Sequence, residues 1–168
     1  MANDELNKVE LPALEQLQSL GWSYVEGAQL SPDESDERSS WKDVVLEKRL
    51  IESLKRINPW INDENLRKVV RDLTKTLYPN LVEANQAIWT QINQSVSVMQ
   101  DLGKGNKSQT VHIIDFENIE NNEFLCTNQF KVSGVNQNII PDVMCFVNGM
   151  PLAVIECKSP YITNPMEA

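Results

Sequence analysis

The chain has 168 residues, 41% hydrophobic and 23% charged, with a formal net charge of −9 at pH 7. That length allows one domain with its own core, and the composition fits a soluble globular protein. It excludes a helical membrane span, because no apolar run approaches the ~20 residues required. Residues 1–10 mix acids and polar groups and lack the basic start and apolar middle of a secretion signal, so the cytoplasm is the expected compartment.

In chain order, Leu11, Leu14, Leu17 and Leu20 recur at helical spacing, which predicts a helix over 9–20 ending at Gly21. Trp22 and Tyr24 form a short extended piece. Residues 29–40, with Pro32 and the acids Asp33, Glu34, Asp36 and Glu37, read as a mobile acidic loop. A second helix is expected over 41–57, stopped by Asn58-Pro59 because the residue before proline avoids the helical region. A third runs from Asn62 through Leu66, Val69, Val70, Leu73 and Leu77 to Pro79, with Asp63 and Glu64 favourable in its first turn. A fourth runs from Asn80 to about Val96. Beyond Gly103-Lys104-Gly105-Asn106 the period changes. Strands are expected over 110–116, 124–132, 142–147 and 150–158, with a turn at 118–122. The last two strands are apolar on both faces, which predicts burial on both sides of a sheet. Helices followed by a sheet give an α/β or α+β layered domain.

Cys126, Cys145 and Cys157 are widely spaced, form no CxxC pair, and read as buried thiols of a reducing compartment rather than zinc ligands. His112, the only histidine, is expected to be a plain strand position. The negative charge opposes tight DNA binding, which needs lysine and arginine. The charge is uneven, however. Residues 42–75 carry nine basic side chains against six acidic ones, net +3. They are either solvated helix faces or a stripe facing DNA or a partner.

Asp142 opens one buried strand and Glu156-Cys157-Lys158 closes the next. Such groups are costly to bury without a use. Two carboxylates supply hard oxygens for Mg²⁺, and a nearby lysine suits phosphodiester hydrolysis. The plain alternative is a surface ion pair between Glu156 and Lys158. Two residues apart in a strand, these side chains share a face. Asp142 joins them only in certain registers. A regular two-residue turn at Asn148-Gly149 would pair Asp142 with Ile155 and point it away from Glu156. A three-residue loop, or a bulge elsewhere in the hairpin, would return it to the same face.

The string Pro141-Asp142-Val143-Met144-Cys145-Phe146-Val147-Asn148-Gly149-Met150-Pro151-Leu152-Ala153-Val154-Ile155-Glu156-Cys157-Lys158-Ser159-Pro160 resembles the N-terminal nuclease region of type I restriction enzyme R subunits. The likeness extends to Ile114-Asp115-Phe116, Asn121-Asn122-Glu123-Phe124, Asn128-Gln129-Phe130 and the first two helices, nearly the whole chain. It implies a restriction-endonuclease-like PD-(D/E)xK fold, a central mixed or antiparallel sheet flanked by helices, with residues 1–168 as the endonuclease domain and loop 29–40 within it.

The resemblance further implies Asp142 and Glu156 as metal ligands, the Cys157 carbonyl as another, and Lys158 as the catalytic lysine. Helix one of such nucleases supplies a further acid, for which Glu10 is the expectation and Glu15 the competitor. Mg²⁺ is the implied cofactor and DNA the implied substrate. Methyltransferase and specificity subunits are the implied partners, with ATP used by motor domains. The motor's Gly-rich phosphate loop is lacking here, and so is the Gln…Tyr helix expected after the lysine. A fragment or truncated product is therefore expected. The competing readings are a catalytically silent docking or regulatory piece and a free-standing nuclease.

Overall fold

The computed structural model describes residues 5–75, 80–134, 137–159 and 161. Contacts sort the chain into two compact units, residues 1–46 with 124–168, and residues 47–123.

In the first unit, a π-helical turn (Leu6–Glu10) leads into helix α1 (Leu11–Ser19). Pro12 occupies the first turn, where its missing N–H is not needed. Gly21 takes the left-handed conformation that ends the helix. Strand β1 (Ser23–Tyr24) then runs parallel to β4 (Phe124–Asn128). Strand β4 is antiparallel to β7 (Val143–Val147), and β7 to β8 (Met150–Ile155). The order β1-β4-β7-β8 makes a mixed sheet in a mixed α/β chain.

Strand β7 is covered on both faces, as its sequence predicts. Met144 and Phe146 pack with Leu30, Leu46, Leu125 and Phe130, the two rings edge-on at 5.2 Å. Val143 and Cys145 pack with Leu14 and Cys126, with Leu17, Trp22 and Tyr24 around them. All three cysteines are buried free thiols. Strand β8 departs from expectation. It stops at Ile155 and is largely exposed, with Val154 at 53%, because it is the edge of the sheet and no described strand covers its outer side. The strand expected over 124–132 is also interrupted. Gln129 turns left-handed (φ 50°), and the chain resumes as β5 (Val132–Ser133), paired with β6 (Asn138–Ile139).

Loop 29–40, expected to be mobile, is anchored. Arg38 is buried, its guanidinium 4.2 Å from the Phe130 ring, and it donates to the Lys131 and Trp41 carbonyls, each at 2.9 Å. The helix expected from Trp41 begins only at Glu47. The Asp43 carboxylate accepts from the N–H groups of Ser39 and Ser40, and the Leu46 N–H is taken by the Gly149 carbonyl at 2.9 Å, so this backbone is committed elsewhere.

The second unit holds α2 (Glu47–Ile57), α3 (Asp63–Thr74) and α4 (Leu81–Gln94). Asn62 and Asn80 cap the latter two, each side-chain oxygen accepting an N–H three residues on. Leu77 and Pro79 of the third expected helix lie outside the described residues. Residues 96–101 correct the expected end of the fourth helix. Ser95 (φ 65°) ends it, and Val96–Asp101 form β2, paired over six positions with β3 (Asn106–Val111). The strand expected over 110–116 is therefore mostly earlier. Buried amides close this unit. Asn58 donates to the Leu54 and His112 carbonyls and accepts from the His112 N–H. Gln100 accepts from Asn62 and Asn65 and donates to the Trp60 carbonyl. Among the described residues, no helix is long and apolar enough to cross a membrane.

Candidate active site

The site depends on one extra residue in a strand. Asn148 (φ 54°) and Gly149 (φ 78°) form a two-residue turn with both residues left-handed, and Val147 pairs with Met150. The three-residue loop is not used. An unbroken ladder from this turn would set Asp142 against Ile155. The ladder slips instead. Phe146 pairs with Pro151, and Cys145 with Ala153, so Leu152 is a bulge. Pro151, lacking an N–H, is a natural place for the slip. Val143 then pairs with Ile155, and the same register carried one step further sets Asp142 against Glu156. Residues directly opposite share a face.

The electrostatics agree with that register. Glu156 is exposed at the sheet edge, yet its carboxyl is held above its ordinary range, first by partial desolvation, then by the charge of Asp142 and a hydrogen bond to it, with the Lys158 charge opposing. The Cys157 N–H donates to Asp142 Oδ2 at 2.7 Å. Cys157 itself is 3% exposed, so its thiol turns inward while its backbone lines the site. Burial and then Asp142 push that thiol up.

A polar chain backs the pair. The N–H of Gln129 donates to the Asp142 carbonyl at 3.1 Å, so Gln129, Asp142 and Glu156 lie side by side at the ends of three strands. Glu10, at the end of the π turn, is 4% exposed and accepts from Asn128 Nδ2 at 3.2 Å and Gln129 Nε2 at 3.3 Å. The Tyr24 hydroxyl donates to Asn128 Oδ1 at 2.8 Å. Glu15 is exposed on α1. Glu5 acts electrostatically on both Glu156 and Cys157.

Sequence reasoning missed Glu5, Tyr24, Asn128 and Gln129 as members of this network. The available signal was an Asn-Gln pair ending an apolar strand, where two amides can be oriented by a buried acid. The left-handed backbone of Gln129, a non-glycine, costs on the order of 1–2 kcal/mol, and its contacts to Glu10 and Asp142 hold it there.

Among the described residues, no three His, Cys, Asp or Glu side chains are gathered closely enough to hold a metal ion. What the site offers is a facing pair of carboxylates, with the Cys157 N–H on one Asp142 oxygen. This donor set fits Mg²⁺, which takes oxygen ligands from one or two carboxylates, keeps several waters and shares phosphate oxygens. A divalent cation would also relieve the repulsion that raises Glu156.

By fold and site, this is a mixed α/β chain presenting a carboxylate pair and a lysine at one end of its sheet. Residues 4–168 match the family described as "Type I restriction enzyme R protein N terminus", and the chain belongs to that family. It is 37% identical over 155 residues to the putative type I restriction enzyme MjaIXP endonuclease subunit of Methanocaldococcus jannaschii, covering 90% of this chain and 15% of that protein. It is 35% identical over 156 residues to the type I restriction enzyme HindI endonuclease subunit of Haemophilus influenzae, covering 92% of this chain and 15% of that protein. The chain thus spans about 15% of the length of these relatives.

Proposed function

We propose that this chain is the DNA-cleaving region of a type I restriction R subunit, a divalent-cation-dependent endonuclease of the PD-(D/E)xK kind acting on foreign unmethylated DNA. The observation that carries this reading is the bulged β7–β8 register, which sets Asp142 and Glu156 opposite each other two residues from Lys158. In this reading Asp142, Glu156 and the Cys157 carbonyl hold Mg²⁺. Once bound, the ion would acidify water and neutralise charge on the phosphate. Lys158 orients or deprotonates the attacking water and opposes the developing negative charge. The Cys157 N–H fixes one oxygen of Asp142. Asn128 and Gln129 fix Glu10 as the further acid. Motor domains elsewhere in the subunit would use ATP to draw DNA through a cytoplasmic complex, with partner subunits supplying specificity and methylation.

The test is nicking of supercoiled plasmid by the chain with Mg²⁺. Lys158→Ala is expected to lower the rate by about 10²-fold or more, and Asp142→Asn should also weaken Mn²⁺ binding in calorimetry. Cleavage by Lys158→Ala at the parent rate would overturn the assignment. The net charge of −9 favours a silent docking piece as the second reading, and that reading expects no Mg²⁺-dependent cleavage from parent or variant.

A further inference from the structure

Helices α2 and α3 enclose an open groove of about 570 Å³ within the second unit. Its walls carry Lys55, Arg67, Arg71 and Lys75 against only Glu47 and Asp63, in a chain whose overall charge is −9. Lys55 is partly engaged with Asp63 (3.6 Å) and Arg71 with Asp72 (3.4 Å), both exposed pairs of the kind that contribute little. Arg67 and Lys75 are exposed and form no ion pair among the described residues. Arg67, Arg71 and Lys75 recur every four residues, so they form one row along α3 and its C-cap, with a rise of about 6 Å per step. The floor between the two helices is apolar, from Leu66 and Val70.

We infer that this groove is a docking surface for the phosphodiester backbone of duplex DNA. Three observations favour this occupant. A row of cations at even spacing matches a linear polyanion better than the irregular acids of a protein surface. One strand of a duplex rises about 3.4 Å along the axis per phosphate while winding around it, so cations about 6 Å apart can meet neighbouring phosphates of one strand. The rest of the molecule repels DNA, so its hold on a polyanion must be concentrated where cations outnumber acids. Contacts to phosphates carry no sequence information, so docking through them is independent of sequence. The inference rests on the nuclease reading for its choice of DNA, but it is tested separately.

The measurement is anisotropy of a labelled duplex titrated with the chain in a Lys158→Ala background, at several salt concentrations. Arg67→Glu with Lys75→Glu is expected to weaken binding at least tenfold at low salt. The slope of log K against log[salt] is expected to fall by about 2, one for each lost phosphate contact. The same change of charge at exposed Lys104 and Lys107, on the β2–β3 turn and β3, is expected to leave that slope within about 0.5. All four positions are exposed, and far-UV circular dichroism checks that each variant is folded. Equal losses in both double variants overturn the groove as the docking surface. So does unchanged affinity on mutating Arg67 and Lys75, which would leave the groove to an acidic protein. So does absence of measurable duplex binding by the parent. DNA binding through the groove without cleavage would sink the nuclease reading and leave this one standing. Cleavage with no contribution from Arg67 and Lys75 would do the reverse.

Discussion

The sheet unit and the 47–123 unit satisfy their buried backbone in different ways. In the first, β7 lies between two apolar clusters, and its polar groups are spent on neighbouring strands. Asp142 and Glu156 sit at the strand ends, and buried Glu10 is held there by Asn128 and Gln129. In the second, side-chain amides do much of the closing. Asn58 ties the end of α2 to His112, Gln100 ties β2 to Trp60 and the start of α3, and Asn62 and Asn80 cap helices. Its charges are spread along exposed helix faces. A unit held by apolar layers leaves its strand ends open for groups that can do chemistry. A unit held by polar clasps leaves its surface free to carry an extended charge pattern.

The contrast can be broken first at Phe146. Phe146→Ala should destabilise the sheet unit by about 3–5 kcal/mol, because both the transfer of the ring and the cavity left behind count. Val154→Ala on exposed β8 should change stability by less than about 0.5 kcal/mol. Urea unfolding of the two variants compares them directly, and similar losses would mean that β8 is covered as well as β7. Asn58→Ala comes next. It removes three hydrogen bonds at a residue 1% exposed and should cost about 1–3 kcal/mol for each backbone group left orphaned. Loss of amide exchange protection at His112 is the readout, and unchanged protection would show that the clasp is dispensable. Asn62→Ala should cost about 1 kcal/mol through the lost cap, with Asn62→Asp nearly neutral.

The smallest effects are in pH, and they have opposite signs in the two units. Glu156 has its folded pKa raised, so its contribution to stability is fully present below the ordinary glutamate value and is lost as pH rises through the raised value. Asp115 has its folded pKa lowered, first by the Asn121 side chain and then by the Asn118 N–H. Its contribution is present above the ordinary aspartate value and is lost as pH falls through the lowered one. Urea midpoints between about pH 3 and 6 should therefore respond oppositely to Glu156→Gln and Asp115→Asn. Parallel responses would contradict the environments described for them.

The residues of the site were legible from the chain because charged groups at the ends of apolar strands stand out against their neighbours. Asp142, Glu156 and Lys158 were readable as candidates in this way, whereas Glu10 was a candidate only through the family resemblance. The support beneath them was not. Asn128, Gln129 and Tyr24 look like ordinary polar positions until three elements bring them onto one buried carboxylate. The strand Val96–Asp101 was hidden for a related reason. Only Val98 and Gln100 in it are buried, so its alternation carries too little apolar contrast to compete with the preceding helix.

The sequence by itself determined most of the helices, the strands of the main sheet and which acids could meet. Those properties follow from local periodicity, caps and the solvation cost of charge. Tertiary structure alone decided that Asp142 faces Glu156. Asn-Gly fixed a two-residue turn, and without the slip at Leu152 the residues of β8 beyond it, and Glu156 after them, would lie on the other face. Which residue yields in a ladder depends on how both strands pack against their neighbours. Pro151 marks a place where the ladder can yield, and the packing of both strands decides that it does.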